Sequence, residues 1–226
     1  MIKGVVFDIG ATLVTGPPIA PNKVISKALG CVTHSEVSGV IMTQPTATAQ
    51  EAVRVVESLV GQMSDEARTA VIQLWTDQCS APTALPGAVE AVESIKQMDL
   101  KIGLLSDIWT PYYIGVEQAI PNVVTAADAV ILSCLSGRRK PDLHNFNLVC
   151  SELNLAPEEI VMVGDTYTHD IAPAIESGMK TIWVLARPDR EKQALLEILN
   201  GISPAPSITV DDISCVPDAV AHIRLL

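Results

Sequence analysis

Apolar positions follow two different rhythms along this chain, and the change from one to the other comes at about residue 82. Residues 2–7, within "MIKGVVFDIG", form a short run rich in Val, Ile and Phe that closes on Asp8 and a glycine. That pattern predicts a buried strand. The proline-rich "VTGPPIAPN" that follows Leu13 predicts a connector. Residues 22–81 then carry helical spacing and nothing strand-like. In "TATAQEAVRVVESLVGQM", Ala52, Val55, Val56, Leu59 and Val60 share one helical face, and Gly61 weakens the helix beyond them. "SDEARTAVIQLWTDQC" opens on Ser64 with acids in its first turn, a favourable helix N-terminus.

Beyond residue 82 the rhythm alternates. "PGAVEAVESIKQMD" predicts a helix, "LKIGLLSD" a strand, "TPYYIGVEQAI" a helix and "AVILSC" a strand. "DLHNFNLVCSELN", "EIVMVGD", "HDIAPAIESG" and "KTIWVLA" repeat the helix–strand pair twice, and "PSITVDD" and "VPDAVAHIRLL" close the chain as strand and helix. Regular alternation of this kind implies an α/β fold with a Rossmann-like parallel sheet covered by helices on both faces. The expected organisation is a core formed by residues 1–14 and 83–226, interrupted by an all-helical block over 15–82.

Composition narrows the possible partners. Hydrophobic residues make up 48% of the 226 positions and charged residues 18%, enough apolar material for a packed core. The formal net charge of −11 opposes nucleic acid and anionic membrane surfaces, both of which demand a basic face. A small anionic substrate remains compatible, because a local cluster of cations overrides the overall sign. The apolar start is broken by Asp8 and reads as a strand and not a signal peptide, and no run approaches the roughly 18 apolar residues of a membrane span. Cys31, Cys79, Cys134, Cys150 and Cys215 are odd in number, scattered and without C-x-x-C spacing, which predicts buried free thiols and a cytoplasmic compartment.

In open α/β sheets ligands bind beyond the carboxyl ends of the strands. Three predicted strands end there in polar residues, Asp8, Ser106 and Asp165, and the loop "SGRRKPD" offers Lys140 ahead of a helix. Taken singly, each has an ordinary explanation. Asp165 and Asp170 suit a turn and a helix cap, Ser106 suits a cap, Arg138–Lys140 suits a solvated loop, and His169 suits the surface. Trp75, Trp109 and Trp183 suit packing, with Trp109 close enough to the second motif to line a pocket.

Their order along the chain says more. Asp8 with Thr12 four residues on, Ser106 in "GLLSD", Lys140–Pro141 with Phe146 following, and Asp165 and Asp170 in "VGDTYTHD" resemble the four motifs of the haloacid dehalogenase superfamily of hydrolases. The likeness spans essentially the whole chain, and the helical block matches the cap that many members carry after the first strand. The resemblance implies a Mg²⁺-dependent hydrolase of a small phosphorylated metabolite, with Asp8 as nucleophile and an aspartyl-phosphate intermediate. It makes Asp8, Ser106 and Lys140 catalytic. Ser106, Asp107 and Lys140 face the phosphate, while Asp8, Asp165, the Gly10 carbonyl and Asp170 hold the metal. The residue types suit that chemistry. A carboxylate nucleophile divides one hard displacement into two, Mg²⁺ takes hard oxygen ligands and offsets the repulsion between carboxylate and phosphate dianion, and Lys140 supplies a point charge on a long stem.

One position departs from the pattern. Family phosphatases carry a second Asp two residues after the nucleophile, as general acid and base, and here that position is Gly10. General acid–base help is worth roughly 10²–10⁴-fold, so alkyl phosphates should be poor substrates unless Asp107, His169 or a cap residue such as His34 substitutes. Members lacking that Asp include phosphonate hydrolases, which use a cap Lys (Lys23 or Lys27 here), and 2-haloacid dehalogenases, which use a cap Arg (Arg54 or Arg68 here) and no metal. A weakly active or non-catalytic protein with a binding role is the remaining alternative.

Overall fold

A computed structural model describes residues 1–17 and 19–225. Six strands build one parallel sheet: β1 Gly4–Phe7, β2 Lys101–Ser106, β3 Ala129–Leu132, β4 Ile160–Gly164, β5 Lys180–Val184 and β6 Ile208–Val210. Their order is β3-β2-β1-β4-β5-β6, with every neighbouring pair parallel. Chain order reverses at β1, so the first strand lies between β2 and β4 at the topological switch point where α/β sheets bind ligands.

Strand pleating divides the core into two layers. Val5, Phe7, Ile102, Leu104, Val161, Val163, Ile182 and Val184 point to one face, where α5 (Ala88–Gln97) and α12 (Val216–Ile223) pack. Val6, Leu105, Ile160 and Met162 point to the other, against α9 (Leu143–Leu153) and α10 (Ala172–Glu176). Gly103 permits the close approach of α9, because a Cβ there would lie 2.9 Å from Val6 Cγ2 and 3.1 Å from Val149 Cγ2. The predicted strands and their alternation with helices are all present. The chain also forms α6 Thr110–Ala119, α7 Pro121–Ala126, α8 Ser133–Ser136 and α11 Lys192–Leu199.

Between β1 and α5 the described residues contain four helices, α1 Pro21–Leu29, α2 His34–Ile41, α3 Ala49–Val60 and α4 Asp65–Gln78, and no strand longer than an isolated bridge. Thr33, Thr48 and Ser64 cap three of them by accepting backbone N–H bonds from Glu36, Glu51 and Ala67. Gly61 ends α3 with φ of 77°. Ile25, Val37, Ile41, Val53, Val56 and Val71 form an apolar core that belongs to this insert, joined by Trp109 from the sheet side. The chain enters and leaves the insert side by side: Leu85 N–H donates to Leu13 C=O at 2.9 Å and Thr15 N–H to Thr83 C=O at 2.8 Å. The Tyr112 hydroxyl bonds the Thr15 carbonyl at that same crossing.

Two expectations need correction. Only Cys134 and Cys150 are buried thiols; Cys31 and Cys215 are exposed, since both lie in short turns ahead of helices and not on a core-facing stripe. "HDIAPAIESG" is not one helix. A wide π-helical turn over Tyr167–Ile171 precedes α10. No helix among the described residues is long and apolar enough to cross a membrane.

Candidate active site

The carboxyl ends of β1, β2 and β4 deliver Asp8, Ser106 and Asp165 to a cavity of about 210 Å³. Gly10, Asp107, Arg139, Lys140, Thr166, His169, Asp170 and Arg187 complete its lining. Every predicted site residue therefore reaches the same place, although they are drawn from four separate segments.

Asp8 is fixed by its N–H bond to the Val163 carbonyl at 2.9 Å, which extends the β1–β4 ladder by one residue. Thr12 Oγ1 donates to its Oδ2 at 3.4 Å. The loop turns back at once, with Ala11 in the left-handed region at φ of 62° and its N–H bonded to the Val14 carbonyl. Lys140 crosses from the β3 side. Its Nζ donates to Asp8 Oδ1 at 2.7 Å, Asp170 Oδ1 at 2.6 Å and the Leu105 carbonyl at 3.3 Å, so all three ammonium donors are engaged. Asp107 holds the Lys140 loop: its Oδ1 accepts the Lys140 backbone N–H at 2.9 Å and its Oδ2 accepts from Arg139 Nε at 3.3 Å.

The π-helical turn places Asp170 beneath β4, where Thr166 N–H donates to its Oδ2 at 3.0 Å. Gly164 makes room for it, because a Cβ at that position would collide with the Asp170 side chain. On the far side Arg187 pairs with Asp165 Oδ2, and the Trp183 indole N–H donates to the Asp165 carbonyl at 3.1 Å. Besides Thr166, and Arg139 that suits a solvated loop, sequence reasoning missed Arg187. It follows β5 on the same sheet edge, and the rule that found Ser106 and Asp165 would have found it.

Burial sets the electrostatics. Desolvation pushes the Asp8 carboxyl up to about 6, Lys140 opposes it and Asp170 adds to it. Asp165 is raised by desolvation and by the charge of Asp8, against Arg187. Asp170 is raised by desolvation and by Asp165, against Lys140. Desolvation works against the Lys140 ammonium, yet Asp170, Asp8 and Asp107 raise it well above its ordinary value. His169 is lowered, first by desolvation and then by Lys140 and Arg139.

Asp8, Asp165 and Asp170 offer carboxylate oxygens that all lie within 4.8 Å of one another. Three buried acids so close, still raised despite Lys140 and Arg187, form an oxygen-only donor set short of positive charge. That fits a hard divalent cation. A second cavity of about 90 Å³ adjoins the first through Asp107 and is lined on the insert side by Pro17, Pro21, Met42 and Gln78 and on the core side by Trp109 and Tyr112. Lys23, Lys27, His34 and Arg54 are exposed, and Arg68 is paired with Glu57; none of these lines either cavity.

A family model for the haloacid dehalogenase-like hydrolases matches residues 2–178, more than three-quarters of the chain. The chain belongs to this family. As a haloacid dehalogenase-like hydrolase it is 23% identical over 202 residues to the glyceraldehyde 3-phosphate phosphatase of Methanocaldococcus jannaschii, covering 82% of this chain and 86% of the relative. Its fold is similar to that of a 2-haloacid dehalogenase from Pseudomonas syringae pv. Tomato DC3000, with a TM-score of 0.66 at 18% identity and coverage of 99% and 100% of the two chains. It is similar also to a HAD phosphatase from Thermococcus onnurineus, with a TM-score of 0.64 at 17% identity and coverage of 97% and 98%. A phosphatase and a dehalogenase match the fold about equally, so the fold does not decide the chemistry.

Proposed function

We propose that this hydrolase is a Mg²⁺-dependent phosphohydrolase of small phosphorylated metabolites that works through an aspartyl phosphate on Asp8. The observation that carries the proposal is the convergence of Asp8, Asp165 and Asp170 around Lys140 in one cavity. The phosphatase from M. jannaschii, similar over most of both chains, supports a phosphorylated substrate. The dehalogenase and phosphonatase alternatives need a cationic side chain from the helical insert, and the four candidates lie outside the site.

Asp8 Oδ2, the oxygen not engaged by Lys140, attacks phosphorus, and the bond to the leaving oxygen breaks. Lys140 orients Asp8 and Asp170 and offsets the charge that builds on the phosphoryl oxygens, while the Ser106 hydroxyl donates to one of them. Asp107 positions Lys140 through its backbone N–H. Asp8, Asp165, Asp170 and the Gly10 carbonyl would hold the Mg²⁺, which when bound neutralises the repulsion between carboxylates and phosphate. Gly10 brings no proton to the leaving group. Residues 15–82 act as a cap over a core of residues 1–14 and 83–226, and the cavity between Trp109 and Gln78 takes the leaving group.

The test is release of inorganic phosphate from nitrophenyl phosphate with Mg²⁺. Release that stops on chelation and in Asp8→Asn supports the reading; undiminished release by either would sink it.

A further inference from the structure

Two cationic side chains in the cavity have no part in the chemistry above. Arg139 and Arg187 stand on opposite flanks, one paired with Asp107 beyond β2 and the other with Asp165 beyond β4. With β1 between those strands, the two acids that anchor them follow the strands on either side of the nucleophile's own. They differ from Lys140 in what they leave free. The Lys140 side chain is 3% exposed and all three of its donors are bonded, whereas those of Arg139 and Arg187 are 36% and 37% exposed. Among the described residues, Arg139 donates only through Nε and Arg187 only through one terminal nitrogen. A guanidinium has five N–H donors in a planar fork that matches carboxylate and phosphate oxygens. Each side chain therefore presents unused donors at the mouth of a cavity whose floor is acidic. Among the described residues, the eleven that line this cavity all come from the core loops, so contacts within it beside the phosphoryl position fall to these loops.

We infer that Arg139 and Arg187 form a second anion-binding position, and that the substrates are phosphorylated metabolites carrying another anionic group, a carboxylate or a second phosphate, within a few bonds of the reacting ester. The inference rests on the phosphohydrolase reading for its reaction but not for its binding. The ion pairs with Asp107 and Asp165 hold each fork in place without using it up, and the free donors close on the second anion as it enters. Inorganic phosphate or a simple aryl phosphate would satisfy the floor of the site and leave both forks unused.

The experiment compares phenylphosphonate with 3-carboxyphenylphosphonate, neither of which is hydrolysed, by calorimetric titration of the full chain in Mg²⁺. The carboxylated ligand should bind at least about 10-fold more tightly, as expected for charge-assisted hydrogen bonds. That preference should shrink in Arg139→Gln and in Arg187→Gln and fall to within about twofold in the double variant. Because each protein is read as a ratio of two ligands, a general loss of affinity divides out. Arg139→Lys and Arg187→Lys, which keep the charge without the fork, should retain part of the preference. Equal binding of the two ligands by the native protein overturns the inference, as does a preference that survives the double variant. Turnover of phenyl phosphate is measured in parallel. A binding preference without turnover leaves the second anion site standing and removes the phosphohydrolase reading, and turnover without preference does the reverse.

Discussion

Gly10→Asp restores a carboxyl where family phosphatases carry their acid–base residue, and the structure allows the change. A Cβ built on Gly10 meets no atom within 4 Å, and Gly10 is not among the glycines with positive φ. The new side chain enters the cavity already lined by Gly10. Loss of unfolded-chain freedom favours the variant by about 0.4–1 kcal/mol, and repulsion from Asp8, Asp165 and Asp170 opposes it, so the net change in stability should stay within about 1 kcal/mol in Mg²⁺. The effect on rate should be far larger. Proton delivery to an alkoxide leaving group is worth roughly 10²–10⁴-fold, or about 3–5 kcal/mol of barrier, whereas a nitrophenolate leaves without a proton. The assay is kcat/KM for glycerol 3-phosphate and for nitrophenyl phosphate, each by phosphate release, with a thermal melt on both proteins. The alkyl-to-aryl ratio should rise at least about 100-fold in the variant. A folded Gly10→Asp protein with an unchanged ratio would show that a neighbour such as His169 or Asp107 already moves the proton in the native enzyme.

The remaining expectations concern the buried charges. Lys140→Met leaves Asp8 and Asp170 without their cation and should cost about 3–5 kcal/mol at pH 7.5 by denaturant titration, with part of the loss recovered near pH 5 as the acids protonate. Asp8 has a raised folded-state pKa, so the stability it contributes is fully present below pH 4 and is lost as pH rises through about 6. In chelator, Asp8→Asn should therefore gain on the native protein by on the order of 3 kcal/mol between pH 4 and 7. Saturating Mg²⁺ should raise the native melting point in line with about 2.7 kcal/mol at 100 times Kd, and Asp165→Asn should abolish the shift. Gly164→Ala should displace Asp170 and weaken the Mg²⁺-induced shift even though its own residue binds nothing.

Much of this could be read from the chain because the signals were local. Short apolar runs ending in glycine or an acid mark the strands, and the rule that ligands bind past carboxyl strand ends brings Asp8, Ser106 and Asp165 together from sequence alone. What escaped depends on tertiary geometry. The π-helical turn at Tyr167–Ile171 has the residue spacing of an ordinary helix start, and only the approach of Asp170 to Gly164 reveals it. Asp107 lines the cavity and also holds the Arg139–Lys140 loop through both oxygens, bonds across 32 and 33 residues that no periodicity announces. Helix α11 packs Ala194, Leu195 and Ile198 against Tyr167 and Trp183, a short stripe between β5 and β6 that the strand-to-strand reading passes over. Arg187 precedes that helix and lay unread in the same stretch.

In the proposed reaction Asp8 becomes phosphorylated. With no acid–base residue at position 10 to activate the second water, the intermediate should accumulate. Acid-quenched single-turnover reactions with Mg²⁺ and nitrophenyl phosphate, followed by peptide mapping, measure it directly. A hydroxylamine-sensitive phosphoryl group should appear on Asp8 with the burst of nitrophenolate and be absent in chelator. Steady turnover with no label on Asp8, or with label on another residue, would contradict it.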